Sequence, residues 1–190
     1  MEYGLPKSVE IGGKIFAIRY DYRVILEIFE AINDPELSDQ ERALAMLQIF
    51  YLDFEKLSDY EAAIKECIKF INGGKEESKE KKSQNLVSWE QDFPVIIAPV
   101  NRVLGTEIRS IEYDPETNTG GLHWWTFLSA YYEIGDCLFA QIVRIRDKKA
   151  KGKKLDKSEQ DFYKKNRDMI DIKTHYSEAE NDLVKMWTGG

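Results

Sequence analysis

Thirty-four carboxylates, two histidines and two cysteines set the chemistry open to this chain of 190 residues. His123 and His175 are the available imidazoles, and nothing near either stands at a metal-ligand spacing. Cys67 and Cys137 lie far apart among apolar residues and fit neither a zinc nor a dithiol pattern. Two structural thiols in a reducing compartment are expected instead. Pairs such as Glu27 with Glu30, or Asp168 with Asp171, fall at helical spacing, but in so acidic a chain a solvated face explains them. Dinucleotide, P-loop, zinc-protease and nucleophile-elbow motifs are missing. The expectation is a protein that is not an enzyme and takes no cofactor and no metal.

The stretch "GGLHWWTFLSAY", residues 120–131, concentrates the remaining candidates. His123 stands where it would cap or pack against the start of a helix. Trp124 and Trp125 point about 100° apart on a helix, so both are buried only if that helix is surrounded. Either both build a core, or one ring faces a partner groove, where tryptophan is a frequent hot spot. Arg144 and Arg146 follow on the next helical stripe and cannot share a face. Arg146 runs into a turn, where it pairs with a carboxylate, caps helix carbonyls, or simply snorkels.

These side chains need elements to hold them. "SVEIGGKIFAI" predicts a β-hairpin, with Gly12-Gly13 in the two positive-φ turn positions. A helix follows with Ile25, Phe29 and Ile32 at three- and four-residue spacing, stopped by Asp34-Pro35. Ser38 with Glu41 and Ser58 with Glu61 read as capping boxes. The first helix they open carries Leu44, Leu47 and Tyr51; the second carries Ile64, Cys67, Ile68 and Ile71, and ends at Asn72-Gly73-Gly74.

"KEESKEKKSQ" has no apolar residue to bury and marks a linker. Helix resumes from about Pro94, is bent or interrupted by Pro99 and closes at Gly105; "TEIRSIEY" reads as an extended connector. A buried helix spans Leu122–Ile134, Gly135-Asp136 breaks it, and Leu138, Phe139, Ile142, Val143 and Ile145 form the next stripe. An amphipathic helix over Ser158–Ile172 and a capping box at Ser177 and Glu180, before Leu183, Met186 and Trp187, complete the chain. The predicted class is mainly α: a helical bundle with a small N-terminal β-hairpin. Its predicted parts are a hairpin with three helices (1–74), a charged linker (75–87) and a C-terminal helical unit (88–190).

The net charge of −7 argues against a chain that clings as a whole to nucleic acid or anionic lipid. The charge is uneven, however. Residues 144–167 hold eleven Lys/Arg against four Asp/Glu, leaving 16 basic and 30 acidic residues elsewhere. Such a basic arm is either a solvated surface or a nucleic-acid site. The chain opens without the apolar stretch of a signal peptide, and its longest apolar run falls far short of a membrane span. A soluble, cytoplasmic protein is expected.

"LHWWTFLSAYYEIGDCLFAQIVRIRD" resembles a signature of the phage gene-product-fifteen family, small tail-cluster proteins of phages and prophages of Gram-positive bacteria. The His-Trp-Trp-x-Phe opening at His123 to Phe127, the apolar helix, and the Ile-x-x-Ile-Arg close at Ile142 to Arg146 carry it. "YDYRVILEIFEAIND" with "DPELSDQERALAML" is similar to the family's N-terminal part. The resemblance implies a tail assembly factor, chaperone-like, whose partners are the tape-measure protein and other tail proteins, with self-association also open. His123, Trp124, Trp125, Arg144 and Arg146 are then the candidate partner-binding residues. A structural subunit retained in the virion, and a nucleic-acid-binding regulator using residues 144–167, are the alternatives.

Overall fold

The computed structural model describes residues 4–76 and 86–173. The described residues divide into two compact units, 4–75 and 86–173 with 76. The described residues form eight α-helices and two small antiparallel sheets, so the protein is mainly α, with the expected N-terminal hairpin.

In the first unit, β1 (Ser8–Ile11) and β2 (Lys14–Ala17) pair with Val9 opposite Phe16 and Ile11 opposite Lys14. Gly12 and Gly13, at φ 56° and 77°, make the two-residue turn that the right-handed twist of the strands requires. The backbone beyond β2 then bridges Ile18 to Tyr51, the Arg19 N–H donating to the Phe50 carbonyl at 2.8 Å. That bridge docks the hairpin onto three helices: α1 (Tyr22–Asn33), α2 (Asp39–Phe50) and α3 (Tyr60–Ile71).

The capping box of α2 forms as expected, with the Ser38 hydroxyl accepting from the Glu41 N–H and the Glu41 carboxylate accepting from the Ser38 N–H. No basic residue of α2 lies in its last turn; Arg19 serves there instead, its Nη1 donating to the carbonyls of Gln48, Ile49 and Tyr51. The α3 box is not formed. Asp59, one residue beyond Ser58, is the N-cap and accepts from the Ala62 N–H at 3.0 Å. A carboxylate and a hydroxyl cap about equally well, so which neighbour is chosen depends on where the chain enters the helix. At its end, Gly73 and Gly74 donate to the Phe70 and Lys69 carbonyls, the paired bonds of a Schellman motif.

Ile18, Ile25, Ile28, Leu47, Phe50, Tyr51 and Cys67 are fully buried here. The buried line of α1 is Tyr22, Val24, Ile25 and Ile28, which leaves Phe29 and Ile32 half-exposed and so rotates the expected stripe. Leu44 of α2 is exposed and Tyr51 lies just beyond that helix. The Tyr51 hydroxyl donates to the Ala63 carbonyl at 2.8 Å inside the core, and burial pushes its pKa well above the ordinary tyrosine value.

The second unit contains α4 (Trp89–Leu104), β3 (Tyr113–Asp114), β4 (Thr119–Gly120), α5 (Trp124–Tyr132), α6 (Leu138–Ala150), α7 (Lys157–Lys165) and α8 (Arg167–Ile170). Helix α4 starts five residues before Pro94, because Ser88 accepts from the Gln91 N–H and supplies a cap. Pro94 and Pro99 both lie inside it. Neither can donate to the carbonyl four residues back, yet the helix continues to Gly105, whose φ of 70° closes it as expected.

The connector is not simply extended. A 3-10 turn at Ile108–Ser110 leads into a second hairpin, β3 with β4, whose turn is held by the Asp114 carboxylate accepting from Glu116, Thr117 and the Thr117 hydroxyl. Gly120 is indispensable to it: at φ 75°, an added Cβ would sit 2.5 Å from the Glu112 carbonyl oxygen. The helix expected over Ser158–Ile172 starts at Lys157 behind an Asp156–Glu159 capping box and is broken at Asn166. The expected box at Ser177 and Glu180, its helix, and His175 lie outside the described residues.

Candidate partner-binding site

Helix α5 begins at His123, which is the cap anticipated from its position. Its Nδ1 accepts from the Trp125 N–H at 3.0 Å, so that nitrogen carries no proton, and the residue is buried. The imidazole meets the Trp125 indole edge-on, with centroids 6.0 Å apart. Trp124 is 1 % exposed and stacks on Phe127 at 5.3 Å while meeting Trp89 edge-on at 5.7 Å. Trp89 also packs on Tyr131, and Tyr131 on Phe139, so one aromatic cluster joins α4, α5 and α6. Burial in this cluster lifts the Tyr131 hydroxyl to a pKa of about 12. Trp125, on the adjoining face, is only half-buried. The two tryptophans thus separate, one into the core and one to its margin.

The two arginines separate further. Arg144 makes an exposed pair with Asp136 at 3.1 Å. Arg146 is buried, and its guanidinium uses all five donors. Two of them bind Asp92 as a fork, Nη1 to Oδ2 at 2.6 Å and Nη2 to Oδ1 at 2.9 Å. The other three go to backbone carbonyls: Leu86 at 2.9 Å, Met169 at 3.0 Å and Ile170 at 2.6 Å. Asp92 completes its own set by accepting from the Ser88 N–H at 2.9 Å, so the same carboxylate ties the start of α4.

Residues 166–173 form a strap across this arrangement. Gln91 donates to the Met169 and Asp171 carbonyls and accepts from the Lys173 N–H. Ile170 sits in a small core with Ile142 and Ile145. Asp171 is paired with both Lys149 and Arg167 and accepts from the Tyr163 hydroxyl. Burial opposes the Asp171 charge, but those three donors outweigh it and hold its pKa below the usual carboxylate value. Beside the strap lies an open cleft of about 350 Å³, lined by Leu86, Ala150, Ile170 and Ile172 together with the charged Arg146, Lys149 and Asp171.

Of the five expected site residues, the structure brings His123 and Trp125 together. It places Trp124, Arg144 and Arg146 in three different environments. His123, Trp124 and Arg146 are consumed by the fold; Trp125 and Arg144 remain accessible. Trp89, Gln91 and Asp92 were not anticipated, because the helix was expected to begin only at Pro94. The usable signal was the cap: Ser88 followed three residues later by Gln91, with Glu90 and Asp92 in the first turn.

No His, Cys, Asp or Glu group able to hold a metal ion occurs among the described residues. None of their helices is long and apolar enough to cross a membrane. The architecture defines a small, mainly α-helical protein in which Trp124 and Arg146 are structural anchors. Residues 1–172 match the model of the Bacteriophage Gp15 protein family, and the chain belongs to that family. It is accordingly a phage-related protein. No curated protein and no solved structure matches it.

Proposed function

We propose that this protein is a tail assembly factor: a chaperone that binds the tape-measure protein in the host cytoplasm and keeps it soluble until the tail tube forms around it. A tape-measure chain is long and largely helical, and its apolar stripes aggregate when bare. A small acidic helical protein covers such a stripe in the helix-in-groove manner while its own charge keeps the complex dispersed. Weak contacts repeated along the chain permit displacement as the tube assembles. Neither a nucleotide nor a metal is required.

The observation that carries this reading is the open cleft beside the strap, with Ile172 still 36 % exposed at its lining. It offers room for an apolar side chain presented by a partner helix. Family membership supplies the phage context. The half-buried Trp125 adds an aromatic surface elsewhere in the same unit.

Co-expression with the tape-measure protein tests the proposal. The expected result is soluble, co-purifying tape-measure protein, reduced when Ala150→Trp fills the cleft, and little of this protein in purified particles. Insoluble tape-measure protein with no co-purification overturns the chaperone role. Stoichiometric retention in particles makes the protein a tail subunit instead.

A further inference from the structure

Residues 144–167 carry eleven cations, and the structure sorts them into two groups. Arg144, Arg146, Lys148, Lys149, Lys151 and Arg167 each face a carboxylate. Lys153, Lys154, Lys157, Lys164 and Lys165 are exposed and have no carboxylate partner among the described residues. Three of these five lie in or beside the α6–α7 turn, and two in the last turn of α7. Asp161, exposed on α7, is the one acid between them without an ion pair among the described residues. The other two acids of the turn and α7 are spent: Asp156 caps the helix and Glu159 both completes that cap and pairs with Lys148.

The turn is held in shape. Gly152 and Lys153 donate to the Lys149 and Lys148 carbonyls in a Schellman closure of α6, and the Asp156–Glu159 box opens α7 three residues later. Lys153, Lys154 and Lys157 are therefore presented by two capped helix ends. Holding like charges together there is unfavourable by itself, and nothing within the described fold uses them.

We propose that the α6–α7 turn is an electrostatic docking patch for a carboxylate-rich segment of a partner protein. This rests on the assembly-factor reading and supplies its recognition step. Three observations favour an acidic protein segment over nucleic acid. Every free cation is lysine, a strongly hydrated point charge, rather than arginine, whose planar fork suits phosphate. Phe162 and Tyr163, the rings of α7, pack against the Ile142, Ile145 and Ile170 cluster, and the Lys149 ammonium lies 3.9 Å from the Tyr163 centroid, so neither is a free platform for base stacking. Outside residues 144–167 the sequence holds 30 acids against 16 bases, a balance that disfavours a long polyanion more than a short acidic segment. Contacts of this kind speed association and loosen with salt, which suits a partner that must later be released.

The test is fluorescence anisotropy of a labelled polyglutamate peptide on the full chain, from low salt to about 0.3 M, with a single-stranded DNA oligonucleotide of equal charge in a parallel arm. Saturable polyglutamate binding is expected, weakening roughly tenfold across that salt range. The K153Q/K154Q/K157Q variant abolishes it, with an unchanged circular dichroism spectrum. The K164Q/K165Q variant weakens it less. Absence of polyglutamate binding, binding indifferent to either variant, or tighter binding of the DNA overturns the proposal. Tape-measure co-purification that survives the loss of all five lysines undiminished also overturns it, while leaving the chaperone role intact.

Discussion

Arg146 and the α6–α7 turn sit within a few residues of each other, carry the same sign of charge, and have opposite fates. Around Arg146 every polar atom of the guanidinium has a partner and water is excluded. In the turn Lys153, Lys154 and Lys157 are exposed and have no carboxylate partner among the described residues. What separates them is packing and not charge. A buried cation contributes to a fold only through the groups that compensate it, and removing one partner leaves the other stranded. An exposed lysine contributes almost nothing to stability and is free for encounter with other molecules.

The comparison breaks most visibly at Asp92. Asp92→Ala leaves the Arg146 charge uncompensated in the interior and should cost about 3–5 kcal/mol in urea unfolding of the full chain. Arg146→Lys should not restore what Arg146→Ala loses, because one ammonium cannot make the carboxylate fork and reach three carbonyls. A mutant within about 0.5 kcal/mol of wild type would mean the site is wetter than its burial indicates. Next comes the tryptophan pair: Trp124→Ala should cost roughly 3–5 kcal/mol and Trp125→Ala clearly less, with partner binding more sensitive to the second. Equal losses of stability at the two positions would remove the distinction between core and margin.

A smaller effect is expected from Ser38→Ala, about 1 kcal/mol, since it deletes the α2 cap while touching no core residue. At Asp171 the expected effect is set by pH. Its folded pKa lies below the ordinary value, so the stabilisation it gives is complete above the unfolded pKa of about 4 and is lost as pH falls through the folded value. Amide protection at Ile170 and Asp171, relative to intrinsic exchange, should fall over that acid window, and Asp171→Asn should abolish the step. The least change in stability, within about 0.5 kcal/mol, is expected on neutralising Lys153, Lys154 and Lys157, where only binding should respond.

How legible these features were in the sequence follows from how local they are. Gly12-Gly13, the Ser38–Glu41 box, Asn72-Gly73-Gly74 and Gly105 were readable because each involves residues within a few positions, and backbone sterics or one hydrogen bond decides them. Where two local answers compete, the reading slipped: Asp59 displaced Ser58, and Ser88 opened α4 before Pro94 could. The break at Asn166 was hidden because an amphipathic stripe continues across it, while the chain itself turns to lay the strap over Ile142 and Ile145.

The candidate residues divide along the same line. The sequence by itself determined the mainly helical class, the hairpin, several helix ends and the family signature at residues 122–147, all set by patterns of short range. That Arg146 would find Asp92, 54 positions away, that Trp124 would meet Trp89 while Trp125 stayed half-exposed, and that five of eleven cations would find no carboxylate among the described residues were decided only by the tertiary structure. Those outcomes depend on which helix faces meet and exclude water, and no spacing along the chain encodes a partner that folding alone brings into reach.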